Sequence, residues 1–268
     1  MNETAIDWTN FTWNPASGCK KISQGCKYCY ADILAENKRG TRAFPNGFDL
    51  TIRPHKLNEP FKLKEPSLIF VNSMSDLFFE EIPDSYRKRI IDIIWQTPQH
   101  EYQVLTKRTE KMKEYFQTRQ VPPNFWVGTS IENQEQLHRL ETLKKIDAEI
   151  RFLSLEPLLS DLPELVLTGI HWVITGGESG THLNNPEINQ KRGLAEKVNG
   201  HWIPRRDRID WIRQIRDLCI KQNVKFFHKQ WGGPMSKSSG NLLDGKKWHE
   251  YPRMPGQTEM DLPLFAAG

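Results

Sequence analysis

The stretch Gly18-Cys19-Lys20-Lys21-Ile22-Ser23-Gln24-Gly25-Cys26-Lys27-Tyr28-Cys29-Tyr30 decides how this chain is read. It carries three of the four cysteines, spaced C-x6-C-x2-C, and the fourth, Cys219, lies far downstream. Clustered thiolates are the usual protein ligands of iron–sulfur clusters. Three of them can hold three irons of a [4Fe–4S] cluster and leave the fourth iron open. A structural zinc would be closed by a fourth ligand, and the first histidine of the chain, His55, is not at zinc-finger spacing. A zinc-stabilised, non-catalytic nucleic-acid-binding module stays as the alternative, with a distant residue such as His228 as the fourth ligand.

Outside this stretch, composition sets the frame. The 268 residues suffice for one large α/β domain. Hydrophobic residues make up 37% and the mean hydropathy is −0.64, so the surface must be very polar. No apolar run is long enough to span a bilayer, and the acidic start Met1-Asn2-Glu3-Thr4-Ala5-Ile6-Asp7 lacks an apolar signal core. A cytoplasmic protein with no membrane association is expected, and three-plus-one cysteines do not suit a secreted disulfide framework. The net charge of +4 is compatible with a nucleic-acid partner.

Short apolar runs recur, and each ends in polar residues: 68–71 into Asn72-Ser73-Met74-Ser75-Asp76, 102–105 into Thr106-Lys107-Arg108, and 125–128 into Thr129-Ser130-Ile131-Glu132. Further runs are 151–155 into Glu156-Pro157, 172–175 into Gly176-Gly177-Glu178, and 224–227 into His228-Lys229-Gln230-Trp231. Continuous runs of this length fit parallel strands buried on both faces. Residues 6–15 read as a first strand or extended lead-in. Helices are expected over 28–38, 84–97 (capped by Asp84, ended by Pro98), 132–146 and 206–222. Cys219 falls on the apolar face of the last, as a buried thiol. The fold class is therefore α/β: a partial, TIM-like (β/α) barrel of about six to seven mostly parallel strands, one domain over 1–268. Residues 181–208 are expected as a polar, basic loop inserted at the barrel mouth and 233–268 as a C-terminal tail that either covers the barrel or touches substrate. Barrel chemistry sits at the C-terminal strand ends, where this chain puts its unusual polar residues.

The ending Cys26-Lys27-Tyr28-Cys29 resembles the C-x2-aromatic-C signature of the radical S-adenosylmethionine (SAM) superfamily, with x6 in place of the commoner x3 in the first gap. The runs Thr12-Trp13-Asn14-Pro15 through Cys29-Tyr30-Ala31, 72–78, 153–158, 176–180 and 227–232 resemble a phage-associated three-cysteine family of uncharacterised proteins. The segments Phe70…Ser75-Asp76 and Thr106-Lys107 are similar to strands of the spore photoproduct lyase family, DNA-repair enzymes of the same superfamily. Where those enzymes carry a hydrogen-donor cysteine, this chain has Ser73, Met74 and Ser75.

The resemblance implies that Cys19, Cys26 and Cys29 ligate a [4Fe–4S] cluster and that SAM chelates the open iron beside Tyr28. An external electron donor would drive SAM cleavage to a 5′-deoxyadenosyl radical, which takes hydrogen from a substrate. Ser73, Ser75 and Asp76 would then accept the SAM ammonium, Lys107 or Arg108 pair with its carboxylate, and Ser130 and Glu132 hold the ribose. Helix caps and surface cations are the other reading of these residues. Gly176 and Gly177 would allow close backbone approach to a ligand, or form a tight turn, with Glu178 facing the mouth. Arg205, Arg206, His228 and Lys229 are the candidate substrate contacts. The substrate is expected in nucleic acid, with a small molecule or peptide as the other option.

Overall fold

The computed structural model describes residues 1–255. Seven parallel strands form one sheet in sequence order: β1 (Phe11–Trp13), β2 (Leu68–Val71), β3 (Glu101–Thr106), β4 (Phe125–Ser130), β5 (Arg151–Leu155), β6 (Trp172–Gly176) and β7 (Lys225–Gln230). The two-residue strand Asn2–Glu3 adds antiparallel outside β1. The parallel sheet curls into a half-barrel, as the strand–helix alternation predicts.

Both faces of the sheet are apolar, so the strand runs read as continuous rather than alternating. One set of side chains, including Ile69, Val104, Val127, Leu153 and Phe226, packs with the helices in the main core. The alternate set, Leu68, Phe70, Trp126, Phe152, Trp172, Ile174 and Phe227, gathers with Trp8 in a second cluster inside the curl. Gly128 is bare because the Phe152 ring occupies its side-chain space; a Cβ there would lie 2.3 Å from the ring.

Among the described residues, six α-helices accompany the strands: α1 (Tyr30–Glu36), α2 (Asp84–Gln96), α3 (Thr109–Phe116), α4 (His138–Leu143), α5 (Pro186–Arg192) and α6 (Ile209–Lys221). Asp84 is not the cap of α2 but its first residue, paired with Arg87. Helix α3 buries Met112, Tyr115 and Phe116, an i, i+3, i+4 stripe too short to stand out in sequence. Cys219 is fully buried on α6, and burial pushes its thiol up.

One expectation changes. Residues 181–208 are not a loop: they form a short 3-10 turn, α5 and a hairpin of Ala195–Val198 with His201–Pro204. Its turn is Asn199-Gly200, both at positive φ, as a two-residue hairpin requires. Asn185 caps α5 by accepting the Ile188 N–H at 3.1 Å. The tail starts at the mouth, where Gly233 N–H donates to the Glu178 carbonyl at 3.1 Å, and its residues 250–253 reach the lower end of the barrel. Glu250 N–H donates to the Phe226 carbonyl, Tyr251 packs 5.4 Å from Trp172, and Arg253 pairs with Glu101 and Glu149. The remainder of the tail, 256–268, lies outside the described residues.

Candidate active site at the barrel mouth

The cysteine loop has little regular structure, so it needs partners for its backbone groups. It finds them at four strand ends. After β2, Gly18 N–H donates to the Met74 carbonyl at 2.9 Å, and the Ser75 hydroxyl donates to the Gly18 carbonyl at 2.6 Å. Tyr30 Oη donates to the Ser73 carbonyl at 2.6 Å, while the Ser73 hydroxyl pairs with Asn14. After β3, Arg108 donates to the Lys20 carbonyl at 3.2 Å and to Cys19 Sγ at 3.3 Å. After β4, the fully buried Glu132 accepts the Gly25 N–H at 3.2 Å. After β6, Arg192 of α5 donates to the Gln24 carbonyl at 3.1 Å. Gly18 has φ +97°, and a Cβ would lie 2.5 Å from the Asp49 carbonyl oxygen, so only glycine fits there.

Four carboxylates stand at the mouth, each with a cation. Asp76 pairs with Arg108 at 3.2 Å and Glu132 with Arg139 at 3.0 Å. Glu156 pairs with Lys229 at 2.6 Å, and Glu178 takes a two-point contact from Arg192, both at 2.6 Å. Burial raises the Glu132 carboxyl, but Lys107, Ser23, Arg139 and the Gly25 N–H together hold it below its ordinary range.

The geometry refines the sequence-derived site. Asp76 is already saturated: Oδ1 accepts Thr106 Oγ1 at 2.7 Å and Phe78 N–H at 2.9 Å, and Oδ2 accepts Lys107 N–H and Arg108, both at 3.2 Å. Ser73, Ser75, Asp76 and Glu132 thus meet around the cysteine loop itself, with Lys107 beside Glu132 and Cys26. Ser130 is buried on the same stretch, its carbonyl accepting from Arg139. The bareness of Gly177 admits the Trp231 carbonyl, 2.0 Å from where a Cβ would sit, and Gly176 makes room for the Glu156 carboxyl. Tyr28 stacks on His182 at 3.8 Å and 6°, and His182 Nε2 lies 3.1 Å from Glu178.

Three of the four candidate substrate contacts fall elsewhere or are engaged. His228 is fully buried, its Nδ1 3.0 Å from Thr175 Oγ1 and its ring against Trp231. Burial, with His249 adding, pushes it down to about 3. Arg205 is buried against Asp207 and Gln190. Lys229 reaches the mouth but is engaged by Glu156. Arg206 is exposed.

Sequence reasoning missed the cations that hold this arrangement, Arg139 and Arg192, because they lie on helices that show no sign of their reach. It also passed over Asn72. This residue is 3% exposed at φ +59°, and among the described residues both its amide nitrogen and oxygen are buried without a partner. Such an amide is costly unless something else meets it.

The thiols of Cys19, Cys26 and Cys29 are half-buried and free. Among the described residues, no three Cys, His, Asp or Glu side chains gather tightly enough to hold one metal ion. The charge of Cys26 reaches both Cys19 and Cys29. Burial raises Cys19 to about 12, as does Asp76, against the pull of Arg108. Cys26 is held below its ordinary value: burial raises it, and Lys107, the Ile22 backbone and Ser23 outweigh that. Cys29 is raised by burial despite the backbone N–H groups of Asp32 and Ala31. A donor set of three thiols with N–H and O–H groups aimed at sulfur suits a cluster that leaves one iron open.

Solved structures of spore photoproduct lyase share the fold. A cysteine-to-serine mutant of that enzyme matches at 12% identity and a TM-score of 0.55, covering 85% of this chain and 78% of the other. The lyase complexed with dinucleoside spore photoproduct matches at 12% identity and a TM-score of 0.52, covering 80% and 74%. A double mutant with bound AdoMet and dinucleoside spore photoproduct matches at 12% identity and 0.50, covering 81% and 75%. No curated protein matches the chain in sequence. One sequence family matches residues 3–252, nearly the whole described chain, and the protein belongs to it: the family described as "Protein of unknown function (DUF5131)".

Proposed function

We propose that this protein is a radical SAM-type enzyme, with Cys19, Cys26 and Cys29 holding a [4Fe–4S] cluster and SAM taking the open iron. The observation that carries the reading is the anchoring of the three-cysteine loop across the mouth of a parallel half-barrel. When bound, the cluster and SAM supply a one-electron cleavage that produces a carbon radical able to take hydrogen from a substrate.

The chain's own residues do the rest. Glu132, Arg108 and Arg192 fix the loop, so the thiolates keep one spacing. The aromatic cluster below the mouth excludes water from the interior. Tyr28, held by His182, borders the SAM side, and Ser130, Gly176 and Lys107 line the adjoining strand ends. Glu156 and Lys229 offer the substrate an acceptor and a donor, and the unpartnered Asn72 amide offers one of each. A nucleic-acid substrate is favoured by the net positive charge, by the exposed Arg206, and by the dinucleoside held by spore photoproduct lyase. The electron comes from an external donor. The free thiols suit the reducing cytoplasm.

Anaerobic reconstitution tests the reading. A brown protein with about four irons per chain should form and, once reduced, release 5′-deoxyadenosine from SAM. Replacing any one of Cys19, Cys26 or Cys29 by alanine should abolish both properties. A colourless protein that binds stoichiometric zinc and never cleaves SAM overturns the reading in favour of a binding module. Affinity for single-stranded DNA or RNA should fall steeply with salt and weaken with Arg206→Ala; binding indifferent to both removes the nucleic-acid part.

A further inference from the structure

Arg108 is only 6% exposed, and its donors are spread over four partners. Nε donates to Glu80 at 2.8 Å, and Nη2 to the Lys20 carbonyl at 3.2 Å. Nη1 donates to Asp76 at 3.2 Å and to Cys19 Sγ at 3.3 Å. The guanidinium lies 4.9 Å from the Phe79 ring centre. Each contact fixes its plane, and Asp76 is itself fixed by Thr106, Phe78 and Lys107. The donor at Cys19 is therefore preorganised, and it belongs to a group that stays cationic at any pH the protein survives.

Two carboxylates already neutralise this guanidinium, so the contact with sulfur is not needed to satisfy its charge. A thiol is a weak acceptor, whereas a thiolate takes a charge-assisted hydrogen bond well. Cation and hydrogen bond at a ligand sulfur stabilise the more negative, reduced state of an iron–sulfur cluster, which raises its potential.

We infer that Arg108 is a positioning residue that sets the reduction potential of the cluster through Cys19. This rests on the cluster assignment made above. It makes Cys19 electronically distinct from Cys26, whose nearby cation is Lys107.

The test is a redox titration of the reconstituted protein without substrate, followed by the EPR signal of the reduced cluster. Arg108→Gln should shift the equilibrium about ten-fold against reduction, about 59 mV lower for a one-electron couple. Arg108→Lys keeps the charge but loses the fork, and should shift it less in the same direction. Glu80→Gln removes a partner on the side away from sulfur and should leave the midpoint in place. Should Arg108→Gln hold no iron, the lysine variant decides. An unmoved midpoint in the variant that decides, or an equal shift in Glu80→Gln, overturns the inference while leaving the cluster assignment intact. A wild-type protein that assembles no cluster overturns both.

Discussion

The two ends of the half-barrel solve opposite problems. The lower interior is closed by large aromatic side chains, Trp8, Phe70, Trp126, Phe152, Trp172 and Phe227, with Tyr251 of the tail packed beneath; among the described residues the indole N–H groups of Trp8 and Trp172 are buried there without a partner. The mouth is built from carboxylates and cations, and the pairs made by Asp76, Glu132 and Glu178 each have a member that touches the cysteine loop. Area burial stabilises the first region and is tolerant of direction. Paired charge holds the second and is directional, which suits a loop whose sulfur atoms must keep one geometry. The lower end accordingly carries stability, and the mouth carries placement.

That contrast can be broken by substitution. The largest effect is expected at the floor. Trp172 is fully buried and touches Trp8, Trp126, Phe152 and Phe227. Trp172→Ala should cost about 4 kcal/mol, read by chemical denaturation, yet the surviving folded protein should still take up iron. Glu132→Gln should cost about 3 kcal/mol, because Arg139 is left buried without its charge partner. Here iron uptake should also fall, since one amide oxygen must replace the two carboxylate oxygens that serve the Gly25 N–H, Ser23 and Arg139. Equal iron loss in both variants would erase the distinction between the two ends.

A smaller effect sharpens it at β7, which spans both regions. His228 is buried neutral, with its protonation pushed down to about 3 chiefly by burial. Because the folded value lies below the unfolded one of about 6.5, the unfolded chain binds the proton first as pH falls. Stability is therefore complete above about pH 6.5 and is lost progressively below it, by about 2 kcal/mol at pH 5. Denaturation curves at pH 7 and pH 5 should show this loss, and His228→Gln should remove most of it. An unchanged slope in that variant would place the acid sensitivity elsewhere.

The sequence was most legible where chemistry is local. The spacing of Cys19, Cys26 and Cys29 singles out one loop without any fold. Apolar runs ending in polar residues mark six parallel strands and their mouth, and among the described residues the structure places those six in sequence order after β1. Asn199-Gly200 was readable as a hairpin turn, but the charge of the surrounding segment drew the reading towards a loop. Strand residues such as His228 misled for a simple reason. A strand end alternates between the inside and the helix side, and one residue of register separates a mouth residue from a buried one: Lys229 reaches Glu156 while His228 is sealed against Trp231.

By itself, then, the sequence determined the class of sheet, the strand ends at which polar residues gather and the clustering of three cysteines in one loop, because periodicity and short spacing act between chain neighbours. Only the tertiary structure decided that Glu132 meets Gly25 across 107 positions, that Arg192 reaches Gln24 across 168, and that Asp76 holds the Arg108 that reaches the loop. Those pairings depend on how far the sheet curls and where each helix returns, which is settled by packing the whole core at once.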